Sequence, residues 1–163
     1  LIAIQLNAFI IESNLCLNFA KVLDINEPGD EELQGTSEIV NREYWEQKVN
    51  KKSLQVLDEI VVVLKDTIPD LRITYNKNHI AMGSEGGVNF SWFHPRKGTH
   101  IHFDVKIDND VIKEWNEKLE ESGIENMIRS NGTNISAKIT SKELSSTKDL
   151  ISELFNKAYE LAK

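Results

Sequence analysis

Thr99-His100-Ile101-His102-Phe103-Asp104-Val105-Lys106-Ile107 alternates without a break between apolar and polar residues. Period-two alternation is the signature of a β-strand with one covered and one solvated face. It puts Ile101, Phe103, Val105 and Ile107 on one side and His100, His102, Asp104 and Lys106 on the other. Such a strand belongs to an antiparallel sheet, because strands covered on both faces read as continuous apolar runs.

The flanking sequence extends that sheet in both directions. Upstream, residues 71–75, 79–82 and 88–93 read as strands, with Gly83-Ser84-Glu85-Gly86-Gly87 as the turn between the last two. Before them, residues 38–49 read as a helix carrying Tyr44 and Trp45. A second helix follows, with Leu54, Leu57, Ile60, Val61 and Leu64 on its apolar stripe, and Pro69 ends it. Downstream, residues 108–122 place Val111, Ile112, Trp115 and Leu119 at helical spacing before Gly123. Asn131-Gly132, between strands at 127–130 and 133–139, is the strongest short hairpin signal in the chain. A last helix is expected from Ser146, where Ser146-Thr147-Lys148-Asp149 approximates a capping box; it buries Leu150, Ile151, Leu154, Phe155, Ala158 and Leu161. The fold class is α+β, in the order α-βββ(β)-α-β(β)-α. Short turns make the sheet mostly antiparallel, so its helices pack on one face.

The first 24 residues stand apart. Residues 1–11 and 15–22 read as two strands around Glu12-Ser13-Asn14, with Leu15, Leu17 and Phe19 on one face, and the pair is nearly apolar on both faces. A lone hairpin is marginal in water. The expectation is a β-hairpin remnant (1–24) of an upstream module that once covered it, an acidic Pro/Gly linker (25–37) and one α+β domain (38–163). Cys16, the single cysteine, lies in Leu15-Cys16-Leu17, a setting for an inert buried thiol. There is no secretory leader pattern and no apolar run of the roughly 20 residues that span a bilayer. A cytoplasmic protein without membrane contact is expected, with Asn131 and Asn134 of the two sequons unmodified.

Charge narrows the binding partners. The net charge is −7, but residues 51–107 hold 8 basic and 6 acidic side chains while residues 1–50 hold 3 and 9. Only the middle third could meet a polyanion, through a local patch. Asn89-Phe90-Ser91-Trp92-Phe93-His94-Pro95-Arg96-Lys97 has the composition for it, since aromatics on a sheet stack bases while Arg and Lys meet phosphates. Strict alternation puts Phe90 and Trp92 on one face and Ser91 and Phe93 on the other, so at least one aromatic set is core. The contact candidates are Lys77, His94, Arg96, Lys97, His100 and His102, to which Lys51-Lys52 would add if they cluster in space.

Other chemistry is poorly supplied. His100, His102 and Asp104 share a strand face with side chains about 7 Å apart, and His94 could join them as metal ligands. Lys106 on that face repels a cation, and a solvated sheet face requires only polar residues, so no metal site is assigned. Gly83-Ser84-Glu85-Gly86 is one residue short of a nucleophile elbow, and no phosphate-binding Gly-rich loop precedes a helix. No catalytic residue is assigned.

Arg42-Glu43-Tyr44-Trp45-Glu46, the helix with Leu54 to Asp58, Tyr75-Asn76-Lys77-Asn78-His79-Ile80, Asn89-Phe90 with Phe93, Pro95 and Lys97, and Ala158-Tyr159-Glu160 occur in this order. Together they resemble a C-terminal domain of unknown function found behind restriction-endonuclease-like modules in bacterial and archaeal proteins, some of them labelled predicted transport proteins. Residues 38–163 carry the resemblance, and residues 1–24 are similar to the last hairpin of the nuclease-like module, with Phe9 near its usual aromatic. The resemblance implies that the catalytic Asp and Glu-x-Lys, with their Mg²⁺, belong upstream of Leu1, and that this chain holds no cofactor of its own. Relatives usually carry apolar or basic residues at the positions of His100 and His102, and an aromatic, Gly-rich segment where Ser130-Asn131-Gly132-Thr133 stands here. The function expected is that of a non-catalytic accessory domain of a DNA-processing or defence protein, with DNA or a protein as partner. The alternatives are a homo-oligomerisation module pairing through hairpin 1–23, and a small-ligand domain with a pocket lined by Tyr75, Trp92 and Trp115.

Overall fold

The computed structural model of the protein describes residues 40–163 in full and the backbone of residues 2–11 and 14–24. The chain divides into two compact units, Leu1–Glu38 and Ile39–Lys163. In the first, β1 (Ile2–Ile11) and β2 (Asn14–Asp24) pair antiparallel as a two-stranded sheet, with a register shift between Ala3 and Ile4. The turn at Glu12-Ser13, the linker 25–37, the first residues of the expected helix at 38–49, and the side chains of Phe9, Leu15, Cys16, Leu17 and Phe19 lie outside the described residues.

The second unit is an open six-stranded sheet with five helices. Helix α1 (Arg42–Lys48) starts where the Asn41 side chain accepts from the Tyr44 N–H, and α2 (Lys51–Leu64) where Asn50 does the same for Lys52. These caps satisfy N–H groups that have no partner within the helix. Strands β3 (Leu71–Tyr75), β4 (Ile80–Ser84), β5 (Asn89–Pro95) and β6 (His100–Lys106) form an antiparallel meander. Helix α3 (Ile112–Glu121) then carries the chain past a vacant lane to β7 (Glu125–Ile128), and β8 (Asn134–Thr140) returns to fill that lane. The resulting order is β3-β4-β5-β6-β8-β7, with every neighbour antiparallel. Helices α4 (Ser141–Ser146) and α5 (Lys148–Ala162) close the chain.

Register fixes which residues meet the helices. Met82, Phe93, Phe103, Ala137 and their same-face neighbours Ile80, Ile101, Val105, Ile135 and Ile139 join Leu54, Leu57, Ile60, Trp115, Leu119, Leu154 and Phe155 in one buried cluster. At its centre the Phe155 ring stacks on Phe93 at 5.8 Å and tilts against Phe103 at 5.4 Å. The helices therefore cover one face, as the alternating strand requires, and the other face holds no residue of this cluster.

Several local expectations are corrected. A β-bulge opposite Met82/Gly83 inserts Phe90 as an extra residue, so Phe90 turns inward against Tyr159 while Trp92 stays on the uncovered face. A bulge resets alternation by one residue, which strict period-two reading cannot anticipate. The Asn131-Gly132 hairpin is wider than two residues. Strand β7 stops at Ile128, Gly132 adopts φ +69°, and residues 129–133 form a loop that frees Arg129 to reach Asp104. The capping box lies at Thr140 and Glu143, not at Ser146-Asp149, because the segment breaks into α4 and α5 at Thr147. Leu161 is 39% exposed, since Tyr159 takes the inward place in the last turn and donates its hydroxyl to Asp70 Oδ1 at 2.5 Å.

Phe155 sits where α5 meets two strands, so Phe155→Ala leaves a cavity that both layers line. The expected loss is about 3–5 kcal/mol of unfolding free energy, read as a lower urea midpoint with an unchanged m-value.

Candidate functional site

The uncovered face of the sheet is ordered by its ladders. Trp92 is paired with Ala81 on one side and Asp104 on the other, and Asp104 with Ser136. One step along, His94 is paired with His102, His102 with Lys138, and Lys138 with Glu125. His79, just before β4, extends this row, its ring centroid 6.2 Å from that of His94. Directly opposed side chains on one face sit about 5 Å apart, so the row is a continuous polar band.

Asp104 is the anchor of the band. It is 9% exposed, and its carboxylate accepts two bonds from Arg129, Nε to Oδ1 at 2.9 Å and Nη2 to Oδ2 at 2.8 Å. His94 Nε2 lies 3.3 Å from Oδ2. Burial alone would raise the Asp104 pKa; the hydrogen bonds from His94, Arg129 and Ser136 and the guanidinium charge outweigh it and hold the carboxyl well below the usual carboxylate range. Arg129 shifts the other way, upward, through the same pair. No nucleophile completes a catalytic relay here: Ser136 is the cross-strand neighbour of Asp104 on β8, and Ser91 Oγ donates to the Asp104 carbonyl from the helix side of the sheet.

The histidines are closely spaced. His100 and His102 meet edge to face at 5.0 Å. Gly98 leaves room for the His100 ring, since a Cβ there would lie 2.7 Å from its Cε1. His102 is held below its ordinary pKa first by burial, then by His100, Arg96 and Lys138; His79 is lowered by burial and by His94. Among the described residues no group of three or more His, Cys, Asp and Glu side chains converges to hold a metal ion. His100, His102 and Asp104 share the face as the alternation requires, but Asp104 is occupied by Arg129 and His94.

The turns at one end of the sheet gather the basic residues. Trp45 Nε1 donates to the Asn76 carbonyl at 3.1 Å, tying α1 to the β3–β4 turn that bears exposed Lys77. The Asn50 N–H donates to the Arg96 carbonyl at 3.2 Å, and Asn50 Nδ2 to the Lys97 carbonyl at 3.3 Å. Ser53 Oγ accepts from the Arg96 N–H at 3.2 Å and donates to the His100 carbonyl at 2.7 Å. The first turn of α2, with exposed Lys51 and Lys52, is thus clamped to the β5–β6 turn with exposed Arg96 and Lys97. Among the described residues none of these five cations takes part in a salt bridge.

All six contact candidates therefore fall on the uncovered face or its basic end. Sequence reading missed His79, Arg129 and Lys138, whose places depend on strand order; only the exposed-face parity of Lys138 on β8 was available as a signal. Tyr75, Trp92 and Trp115 do not share a pocket. Tyr75 is on the helix side and Trp92 on the other, while the concavity beside Trp115 is lined by Thr67, Asp149, Ser152, Asn156 and Glu160.

A carboxyl whose folded pKa is depressed adds stability above its unfolded value and loses it as pH falls through the folded value. Asp104→Asn is therefore expected to cost about 1–3 kcal/mol at neutral pH, because one acceptor of the bidentate pair becomes a donor. The gap between the two proteins should close as pH drops below about 4, in urea unfolding followed at a series of pH values.

Comparison of the chain with family models, curated proteins and solved structures gives no match, and it is the open face and the basic end of the sheet that point to a function.

Proposed function

We propose that this chain is a non-catalytic accessory domain of a restriction-endonuclease-like DNA-processing or defence protein, and that residues 39–163 supply its nucleic-acid contacts. The carrying observation is the basic end of the sheet. Lys51, Lys52, Arg96 and Lys97 are joined by four hydrogen bonds through Asn50 and Ser53, and no carboxylate among the described residues neutralises them. A polyanion is the partner that such a patch attracts in a chain of net charge −7, which would otherwise repel it. The start of α2 adds the positive end of a 14-residue helix to the same place. The nuclease context draws on the sequence resemblance. A Glu-x-Lys pattern on a strand encoded upstream of Leu1 is what it requires, and any Mg²⁺ belongs with that module.

Phosphate contacts release counterions, so affinity for a mixed-sequence duplex should fall steeply as salt rises. Replacing Lys52, Arg96 and Lys97 by Glu should weaken binding by at least about tenfold near 0.1 M salt and flatten the log–log salt slope by about 3. Fluorescence anisotropy across a salt series measures both. A salt-independent affinity, or no binding at low salt, refutes the reading.

A second reading rests on the first unit. Strands of 10 and 11 residues form a sheet of only two, so among the described residues neither outer edge of this sheet is paired with a third strand. Such edges recruit another chain. Light scattering should then give a dimer or larger for residues 1–163 and a monomer for a chain starting at Glu38; monomers in both exclude it.

A further inference from the structure

Trp92 is the only one of the three tryptophans that is not buried. Trp45 and Trp115 are 5% and 7% exposed within the core cluster, whereas Trp92 is only partly buried, at the middle of the uncovered face. A large apolar ring placed among polar neighbours gains less from burial than a core ring does, and Trp92 keeps part of its surface open to solvent.

The charges around it are arranged in a specific way. On one flank Arg72 lies half-buried across Gly83, whose absent Cβ is what admits it: a Cβ there would be 2.9 Å from Arg72 Nη2 and 2.8 Å from Asn89 Oδ1. Its guanidinium donates to the Ser84 carbonyl at 3.2 Å, the Gly87 carbonyl at 3.4 Å, Asn89 Oδ1 at 3.0 Å and Thr74 Oγ1. All four acceptors are neutral, so the side chain is held in place while its charge is not compensated by any carboxylate among the described residues. On the other flank Arg129 cancels Asp104, the buried carboxylate of this face. Lys138 pairs with Glu125 at 3.0 Å, and Lys106 projects exposed from β6. The face thus carries Trp92 and, across Gly83 and two residues along β4, a fixed cation, and it runs through His94 and His102 to the basic turns.

We propose that the uncovered face is a platform for an unpaired nucleic-acid strand, with one base stacked on Trp92 and backbone phosphates running from Arg72 toward Arg96 and Lys97. This deepens the nucleic-acid reading above and rests on it. A duplex keeps its bases stacked inside and cannot lay one flat on the middle of a sheet; an unpaired strand can, and its base and phosphate alternate as the plate and cations do. Duplex DNA would engage only the basic turns.

The test uses the full chain with a fluorescein-labelled 12-nucleotide strand, alone and annealed to its complement. Trp92→Ala should weaken binding of the unpaired strand by about 5- to 100-fold, leave duplex binding unchanged, and leave the thermal midpoint within a few degrees; Trp92→Phe should restore most of the loss. Should Trp92→Ala fail to fold, tryptophan emission decides independently. The unlabelled strand should quench the natural protein and not Trp92→Phe, whose remaining tryptophans are buried. Binding of the unpaired strand that is indifferent to both substitutions, or absence of quenching, overturns the platform; duplex binding sensitive to Lys52, Arg96 and Lys97 would then leave the basic-end reading standing. Failure of both nucleic acids to bind removes the two together.

Discussion

The structure depends on covering one face of a six-stranded antiparallel sheet and leaving the other to solvent. The Phe93–Phe103–Phe155 stack is where that coverage is tightest, with helix α5 lying across β5 and β6. Apolar burial supplies most of the folding free energy of such a layer. Once these rings set which side of each strand faces inward, the other side is set too, because side chains alternate. The polar band from His79 to Glu125 is therefore a consequence of the same register that packs the core.

Within that band the Asp104–Arg129 pair carries an unusual load. A nearly buried carboxylate is costly unless it is paired and its lone pairs are filled. Arg129 and His94 fill them, and Arg129 can do so because β7 ends early and the following loop turns back through Gly132. The pair also removes the negative charge that would otherwise face a polyanion, so one interaction serves both the stability of the sheet and the character of its surface. Arg72 is the converse case, a cation fixed entirely by neutral oxygens.

Much of the fold was legible from local pattern. The alternation at 99–107, the apolar stripe from Leu54 to Leu64 and the spacing of Ile112, Trp115 and Leu119 each report a face that must be covered, and each element is present. Reading failed where geometry depends on a partner strand. The bulge at Phe90 answers to β4, the short β7 to the reach of Arg129, and the break at Thr147 to the turn between α4 and α5. Among the candidate contacts, Lys77, Arg96 and Lys97 were legible as exposed turn residues, and His94, His100 and His102 as partly buried residues of the polar strand face.

By itself, then, the sequence determined the class of fold, the side of β6 that meets solvent and the uneven distribution of charge, because periodicity and composition are local properties of the chain. The tertiary structure decided what those residues do together. It placed β8 between β6 and β7, which brought Lys138 beside His102 and Arg129 onto Asp104, and it clamped α2 to the β5–β6 turn through Asn50 and Ser53. Neighbours far apart in sequence are chosen by strand order and helix docking, and these follow from the global burial of apolar surface, which no short window of residues contains.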